Sequence, residues 1–153
     1  MSARQISDAG LRERYIFQRD RDHFGSIDPF FYNAVLAAYS SEGKAWLDAM
    51  NAHTAENYAV LQRAIRKMPR LSVSPLEGTY VAWLDCRRLG FDSEALQHFF
   101  EHDAGIIADP GAEYGAAGFY RWNIATTRQN LEVALSQLEG AYQKNFNDME
   151  VQR

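Results

Sequence analysis

The hydrophobic pattern of this chain changes its period near residue 70, and this change sets the fold class. Before that point, apolar residues recur at helical spacing from Trp46 to Met68, where Pro69 ends the pattern. After it, short apolar runs alternate with turn residues, and we predict strands at 71–74, 79–85, 105–108 and 119–124. Helices followed by a mixture of strands and helices indicate an α+β domain.

The predicted order of elements also indicates how the layers are arranged. Two or three helices come first, one of them beginning at the N-cap pair Asp28-Pro29, and strand, strand, helix, strand, strand, helix follow. We expect a small, mostly antiparallel sheet with helices on one face. The predicted organisation is a flexible arm at 1–7, linking helices at 8–68, a small α+β domain at 69–146 and a frayed tail at 147–153.

Local signals predict where the later elements begin and end. Asp92 or Ser93 caps a helix, and Gly105 ends it at the expected C-cap position. The predicted strand 105–108 then leads into a turn at 109–111. Thr126, with Gln129 three residues later, forms a capping box that opens the last helix.

The charge and the cysteine content argue against several classes of function. A net charge of −4 with interspersed signs argues against nucleic-acid or anionic-membrane partners, which favour a basic face. No apolar run approaches the roughly 20 residues of a membrane span. The single cysteine, Cys86, excludes an intramolecular disulfide and fits a cytoplasmic location. We expect Cys86 to be a small buried hydrophobe.

One charged residue interrupts the last strand-like run. Arg121 lies between Tyr120 and Trp122, in a segment whose residues favour a half-buried sheet. A guanidinium in such a place needs a partner, because its desolvation is costly. Two interpretations stay open: an arginine on an edge strand or in a structural ion pair, or a rigid fork of donors for a carboxylate or phosphate.

The other polar residues form no catalytic or metal-binding constellation in the sequence. His98 and His102 are four residues apart, but no third ligand is near, so a solvated pair is expected and no metal site is predicted. Lys44 follows Ser41 in a Ser-x-x-Lys spacing, yet it opens a helix, and we expect it at the surface.

Several motifs occur in an order that resembles a known family. Residues 76–87, 106–115, 118–128 and 131–138 resemble the C-terminal part of fold-type-I pyridoxal-phosphate enzymes, in particular the MalY/PatB-like carbon–sulfur β-lyases of the class I/II aminotransferase superfamily. Motifs at 11–15, 25–30 and 46–48 also fall in the expected order, so the resemblance spans about residues 8–140. Two features depart from the family: the loop from Tyr114 to Phe119 is shorter, and Thr126-Thr127 replaces a Cys-Pro pair.

The resemblance implies roles for five residues. Arg121 corresponds to the arginine that binds the substrate α-carboxylate. Asn123, Gly78 and Thr79 correspond to neighbours of the active site, and Ser26 to a loop that approaches it at a dimer interface. For Ser26 and Thr79 a purely backbone role is the alternative, since hydroxyl residues are common in turns.

The resemblance also implies pyridoxal phosphate as the cofactor of the parent family. The Schiff-base lysine and the phosphate cradle belong to a large domain that would precede residue 1, so we expect no catalytic residue in this chain and no cofactor binding by it alone. The implied partners are an amino-acid substrate and either a second copy or a large domain. Lyase and transaminase are not distinguished. The alternatives are a noncatalytic amino-acid-binding or protein-interaction module and a decayed gene fragment.

Overall fold

The computed structural model describes residues 6–22 and 29–146. The chain divides into two compact units, Met1–Trp46 and Leu47–Arg153. Ser26, most of the predicted arm and the whole predicted tail lie outside the described residues. The predicted division into linking helices and a small domain at residue 68 stays a prediction.

The first unit contains α1 (Ala9–Arg21), α2 (Pro29–Ala38) and the start of α3 (Ser41–Ile65). Asp8 caps α1, because its Oδ1 accepts a hydrogen bond from the Leu11 amide at 2.6 Å. As predicted, α2 begins at a proline; its expected N-cap, Asp28, is outside the described residues. Large aromatic side chains of this unit are exposed, among them Phe30 at 86% and Tyr39 at 89%.

The second unit contains the rest of α3 and a four-stranded sheet. Its strands are β1 (Ser72–Val73), β2 (Val81–Asp85), β3 (Asp109–Pro110) and β4 (Phe119–Asn123), and its further helices are α4 (Ser93–His98), which continues as a π-helical turn over Phe99–Asp103, and α5 (Arg128–Phe146). The strand order is β1-β2-β4-β3 and every pair is antiparallel. The predicted α+β class with a small antiparallel sheet is confirmed.

Alternation along the two central strands separates the two faces of the sheet. Ala82, Leu84, Tyr120 and Trp122 are buried, whereas the residues between them are half-buried. The buried side chains pack with helix residues, and Phe100 stacks on Tyr120 with ring centroids 4.0 Å apart. We call this side the covered face. Its helical contributions are Leu61 and Ile65 from α3, Leu96, Phe99 and Phe100 from α4 and the π turn, and Leu131, Leu135 and Leu138 from α5.

The predicted third strand at 105–108 is wrong, and β3 lies later, at Asp109–Pro110. Gly105 takes a positive φ of 63°, as expected for a residue that ends a helix. The amide of Ile106 then donates to the Phe100 carbonyl at 2.8 Å, so it completes the end of the helix and forms no strand pair. The predicted turn at 109–111 therefore contributes the strand.

The N-cap of α5 is Thr127, one residue later than the Thr126 of the predicted capping box. The helix begins at Arg128, and the Thr127 hydroxyl accepts a hydrogen bond from the Asn130 amide at 3.3 Å. Thr126 is instead held by α3: the buried Asn57 Nδ2 donates to the carbonyls of Ile124 and Thr126, at 2.9 Å each. This contact from a distant helix fixes the segment between β4 and α5, and it decides which threonine caps the helix.

Candidate functional site

The face of the sheet opposite the helices carries the predicted site residue Arg121. The register places Trp83 of β2 and Asp109 of β3 directly opposite Arg121 of β4, one on each side. Residues that are directly opposite in antiparallel strands point to the same face. Trp83, Arg121 and Asp109 therefore form a row across the half-buried side of the sheet, which we call the open face.

Arg121 has a partner on the open face, as its sequence context requires. Its Nη1 donates to Oδ2 of Asp109 and lies 3.4 Å from the Tyr114 hydroxyl. Its guanidinium carbon is 5.1 Å from the centre of the Tyr114 ring, within the range of a cation–π contact. The side chains of Arg121 and Asp109 are 32% and 49% exposed, so the ion pair is in contact with solvent.

The second cation of the open face has a different environment. Arg87 donates to both oxygens of Asp85, from Nε at 2.9 Å and from Nη2 at 2.7 Å. The hydrogen bond from Arg87 is the main reason why the pKa of Asp85 lies below its usual value. The fork of Arg87 is thus filled by one carboxylate. Both hydrogen bonds of the Arg121 guanidinium use Nη1, and its Nε and Nη2 have no partner among the residues that the structure describes.

Aromatic side chains line the open face around Arg121. Trp83 meets Tyr114 edge to face, with centroids 6.0 Å apart, and Phe119 at 6.4 Å. Tyr114 belongs to the short 3-10 turn Gly111–Tyr114 between β3 and β4. This turn therefore places an aromatic ring against the guanidinium.

Gly78 and Thr79 line a different depression, a cleft of about 400 Å³ between α3 and the turn that precedes β2. A Cβ added to Gly78 would have no heavy atom within 4 Å. Thr79 takes a φ of 65°, which is a strained conformation for a β-branched residue. Arg121 does not line this cleft, so these two predicted neighbours and Arg121 occupy separate places in the second unit.

Asn123 lies on β4 two residues after Arg121, and its side chain has a local structural role. Its Oδ1 accepts a hydrogen bond from the Ala125 amide at 2.9 Å, which shapes the turn after the strand. The fifth predicted site residue, Ser26, lies outside the described residues.

Sequence reasoning missed Asp109 and Tyr114 as neighbours of Arg121. The sequence predicts Asp109 in a turn and Tyr114 in a loop, and the signal that could have found Asp109 was its spacing from Arg121. A chain reversal that includes the 3-10 turn Gly111–Tyr114 brings Asp109 and Arg121 opposite each other in the hairpin. An acidic residue opposite an arginine is a favourable cross-strand pair.

The lysines of the second unit do not fit the pyridoxal-phosphate group that the family resemblance implies. Lys67 is paired with Glu139 of α5 at 3.1 Å, on the helical side of the sheet, and Lys144 is an exposed residue near the end of α5. Neither lies in the row of residues around Arg121. Lys44 is an exposed residue of the first unit.

Over residues 6–22 and 29–146, no group of three or more His, Cys, Asp or Glu side chains could hold a metal ion. His98 and His102 lie with ring centroids 4.7 Å apart, close to Asp103. Within the same residues, no helix has the length and apolar character needed to cross a membrane. The cytoplasmic location stays a prediction.

Comparison with known proteins connects this geometry to a family, although no family model matches the chain. Protein MalY of Escherichia coli is 31% identical over 140 residues, which covers 89% of this chain and 36% of MalY. The cystathionine beta-lyase PatB of Bacillus subtilis is 27% identical over 143 residues, which covers 92% of this chain and 37% of PatB.

A solved structure of a protein with a pyridoxal 5'-phosphate cofactor also matches the chain. Cystalysin from Treponema denticola, which contains a pyridoxal 5'-phosphate cofactor, superposes with a TM-score of 0.74 and 29% identity, over 94% of this chain and 36% of cystalysin. The chain thus spans little more than a third of the length of the relatives it matches. It belongs to the fold-type-I pyridoxal-phosphate family, in which it corresponds to the C-terminal part of the MalY/PatB-like enzymes.

Proposed function

We propose that this chain is the C-terminal part of a pyridoxal-phosphate-dependent carbon–sulfur lyase or aminotransferase, and that Arg121 binds the α-carboxylate of its amino-acid substrate. The observation that carries the proposal is the placement and the hydrogen bonding of the Arg121 guanidinium. It is held on an open, aromatic-lined face by strand register, with Nε and Nη2 unpartnered among the described residues. Unpartnered donors of a fixed planar fork suit a carboxylate.

Catalysis in this proposal requires residues from outside the chain. Pyridoxal phosphate supplies a sink for the electrons released at the substrate α-carbon, and it is anchored through a lysine. Lys67 and Lys144 of the second unit make no contact with Arg121 among the described residues, so we propose that a large domain brings the cofactor and the catalytic groups. The part played by this chain is to orient the substrate, which can contribute much of a rate enhancement. A second copy of the protein is the further expected partner.

The first experiment tests carboxylate binding by the chain itself. N-acetyl-L-methionine, which carries a single negative charge, is titrated into the isotope-labelled protein, and amide shifts of β3 and β4 are followed by NMR. We expect saturable shifts near Arg121 that disappear in Arg121→Gln. The matched control is Arg87→Gln, which removes the same charge from the same face, but from a fork that Asp85 already fills. Equal loss of binding in both variants would indicate general charge attraction and would refute the proposal.

The second experiment tests whether the cofactor has a site in this chain. The protein is incubated with pyridoxal phosphate, reduced with borohydride and mapped by mass spectrometry. We expect only partial, distributed modification of Lys44, Lys67 and Lys144. Stoichiometric modification of one lysine would show that the chain holds the cofactor itself, and it would contradict the proposed dependence on a large domain.

A further inference from the structure

The Arg121–Asp109 pair leaves binding groups of both charges unused. The guanidinium uses Nη1, and the carboxylate accepts through Oδ2. Among the described residues, Nε and Nη2 of Arg121 and Oδ1 of Asp109 have no hydrogen-bond partner. Both side chains are partly exposed on the open face. The unused hydrogen-bond donors of the Arg121 cation therefore lie beside the unused acceptor of the Asp109 anion.

We propose that Arg121 and Asp109 together form a binding site for a free α-amino acid in its zwitterionic form, with the carboxylate on Arg121 and the ammonium on Asp109. The inference rests on the proposed function for the carboxylate half, and the ammonium half is new. The two charged groups of an α-amino acid are attached to the same carbon atom, which matches two oppositely charged side chains in direct contact. Both of its charges can be paired without breaking the ion pair of the protein.

The neutrality of the pair decides which ligands are favoured. A simple carboxylate approaching Arg121 also approaches the negative charge of Asp109, so part of the attraction is cancelled. A simple amine that approaches Asp109 is likewise repelled by the positive charge of Arg121. A zwitterion gains from both groups. Asp109 is thus a specificity-determining residue that selects for an unmodified α-ammonium group.

The surroundings of the pair restrict the side chain of the ligand. Tyr114 packs against the guanidinium and Trp83 lies edge to face with Tyr114, so the adjacent wall is aromatic. A second carboxylate on the ligand would be repelled by Asp109. The favoured class is therefore an α-amino acid with an uncharged, apolar side chain, which includes thioethers such as methionine.

The test compares three forms of one ligand by NMR titration of the full 153-residue chain. L-methionine is zwitterionic, N-acetyl-L-methionine is an anion and L-methioninamide is a cation. We expect L-methionine to bind the wild type about threefold or more tightly than either of the others, in line with the small energies of exposed ion pairs. In Asp109→Asn this preference should disappear, and N-acetyl-L-methionine should bind more tightly than it does to the wild type. Arg87→Gln should keep the wild-type order.

The outcomes separate the inference from the proposed function. If N-acetyl-L-methionine binds the wild type as tightly as L-methionine, and Asp109→Asn leaves the ratio unchanged, the ammonium site is refuted. Carboxylate binding that still depends on Arg121 would then leave the proposed function intact. Ligand binding that is unchanged in Arg121→Gln, or no binding of any form up to the solubility of the ligand, would overturn both the ammonium site and the proposed function. Because the Arg121–Asp109 pair is partly exposed, we expect Arg121→Gln and Asp109→Asn to fold, and the amide spectra of the two variants check this directly.

Discussion

The two faces of the sheet use the same strands for different purposes. On the covered face, Leu84 and Tyr120 are fully buried, and packing against helices from distant parts of the chain holds them. On the open face, Trp83 and Arg121 occupy the alternate positions of the same strands and stay half-buried. One face supplies stability and the other displays charged and aromatic groups.

The difference lies in how each face satisfies its polar groups. The covered face is almost entirely apolar; the phenol of Tyr120 has no hydrogen-bond partner among the described residues, and burial raises its pKa to about 12. The open face places each acid beside an arginine, as Asp85 with Arg87 and Asp109 with Arg121. Exposed pairs of this kind contribute little to stability. We therefore expect mutations on the covered face to change stability and mutations on the open face to change binding.

The largest expected effect comes from replacing a phenylalanine by alanine, and we compare this substitution on the two faces of the sheet. Phe100→Ala removes a fully buried ring that stacks on Tyr120, and it should lower the free energy of unfolding by about 3–5 kcal/mol. Phe119→Ala, on the open face, should cost about 1 kcal/mol, because its ring is only partly buried. Urea denaturation measures both values. Similar losses for the two variants would show that the open face also stabilises the fold.

The next effect concerns the buried thiol of the covered face. Burial raises the pKa of Cys86 to about 12, whereas the thiol of an unfolded chain titrates near 9.0. Above pH 9.0 the unfolded state loses a proton that the folded state keeps, so stability falls as the pH rises. By pH 10 the wild type should lose roughly 1–2 kcal/mol that Cys86→Ala does not lose.

Denaturation series at pH 7 and pH 10 give the comparison between the two proteins. The same series run in the presence of a thiol reagent should show modification of Cys86 only through unfolding, because the side chain is buried. Equal alkaline losses in wild type and Cys86→Ala would show that the thiol ionises in the folded protein.

A smaller effect is expected at the strained turn before β2. Thr79→Gly removes the cost of a β-branched residue at a φ of 65° and should raise the free energy of unfolding by about 1 kcal/mol. Thr79→Ala keeps a Cβ and should gain less. Thermal denaturation of the three proteins ranks them. A loss of stability in Thr79→Gly would mean that the threonine side chain contributes contacts that outweigh the strain.

The smallest effect is expected for the ion pair itself. Arg121→Lys and Asp109→Asn should each change the free energy of unfolding by less than about 1 kcal/mol, because the pair is in contact with solvent. A double-mutant cycle should give a coupling energy of about 0.2–1 kcal/mol. A loss of about 3–5 kcal/mol in either variant would identify a buried structural ion pair and would remove Arg121 from consideration as a binding residue.

The sequence by itself determined the fold class, the family and the position of the arginine. The apolar residues on both sides of it showed that Arg121 interrupts a strand-like run, and the change of period near residue 70 showed where helices give way to strands. The burial of Cys86 was also predicted correctly. These features follow from short segments, whose periodicity depends on local backbone geometry.

Only the tertiary structure decided the partners of the arginine and the exact limits of the elements. Asp109 faces Arg121 because β3 forms at Asp109–Pro110, after the apolar run 105–108 for which a strand was predicted. Strand register depends on hydrogen bonds between separate segments. Asn57 binds carbonyls nearly 70 residues away, so no local signal could show which threonine caps α5. Local sequence fixes which faces are apolar, whereas long-range pairing fixes which polar groups meet.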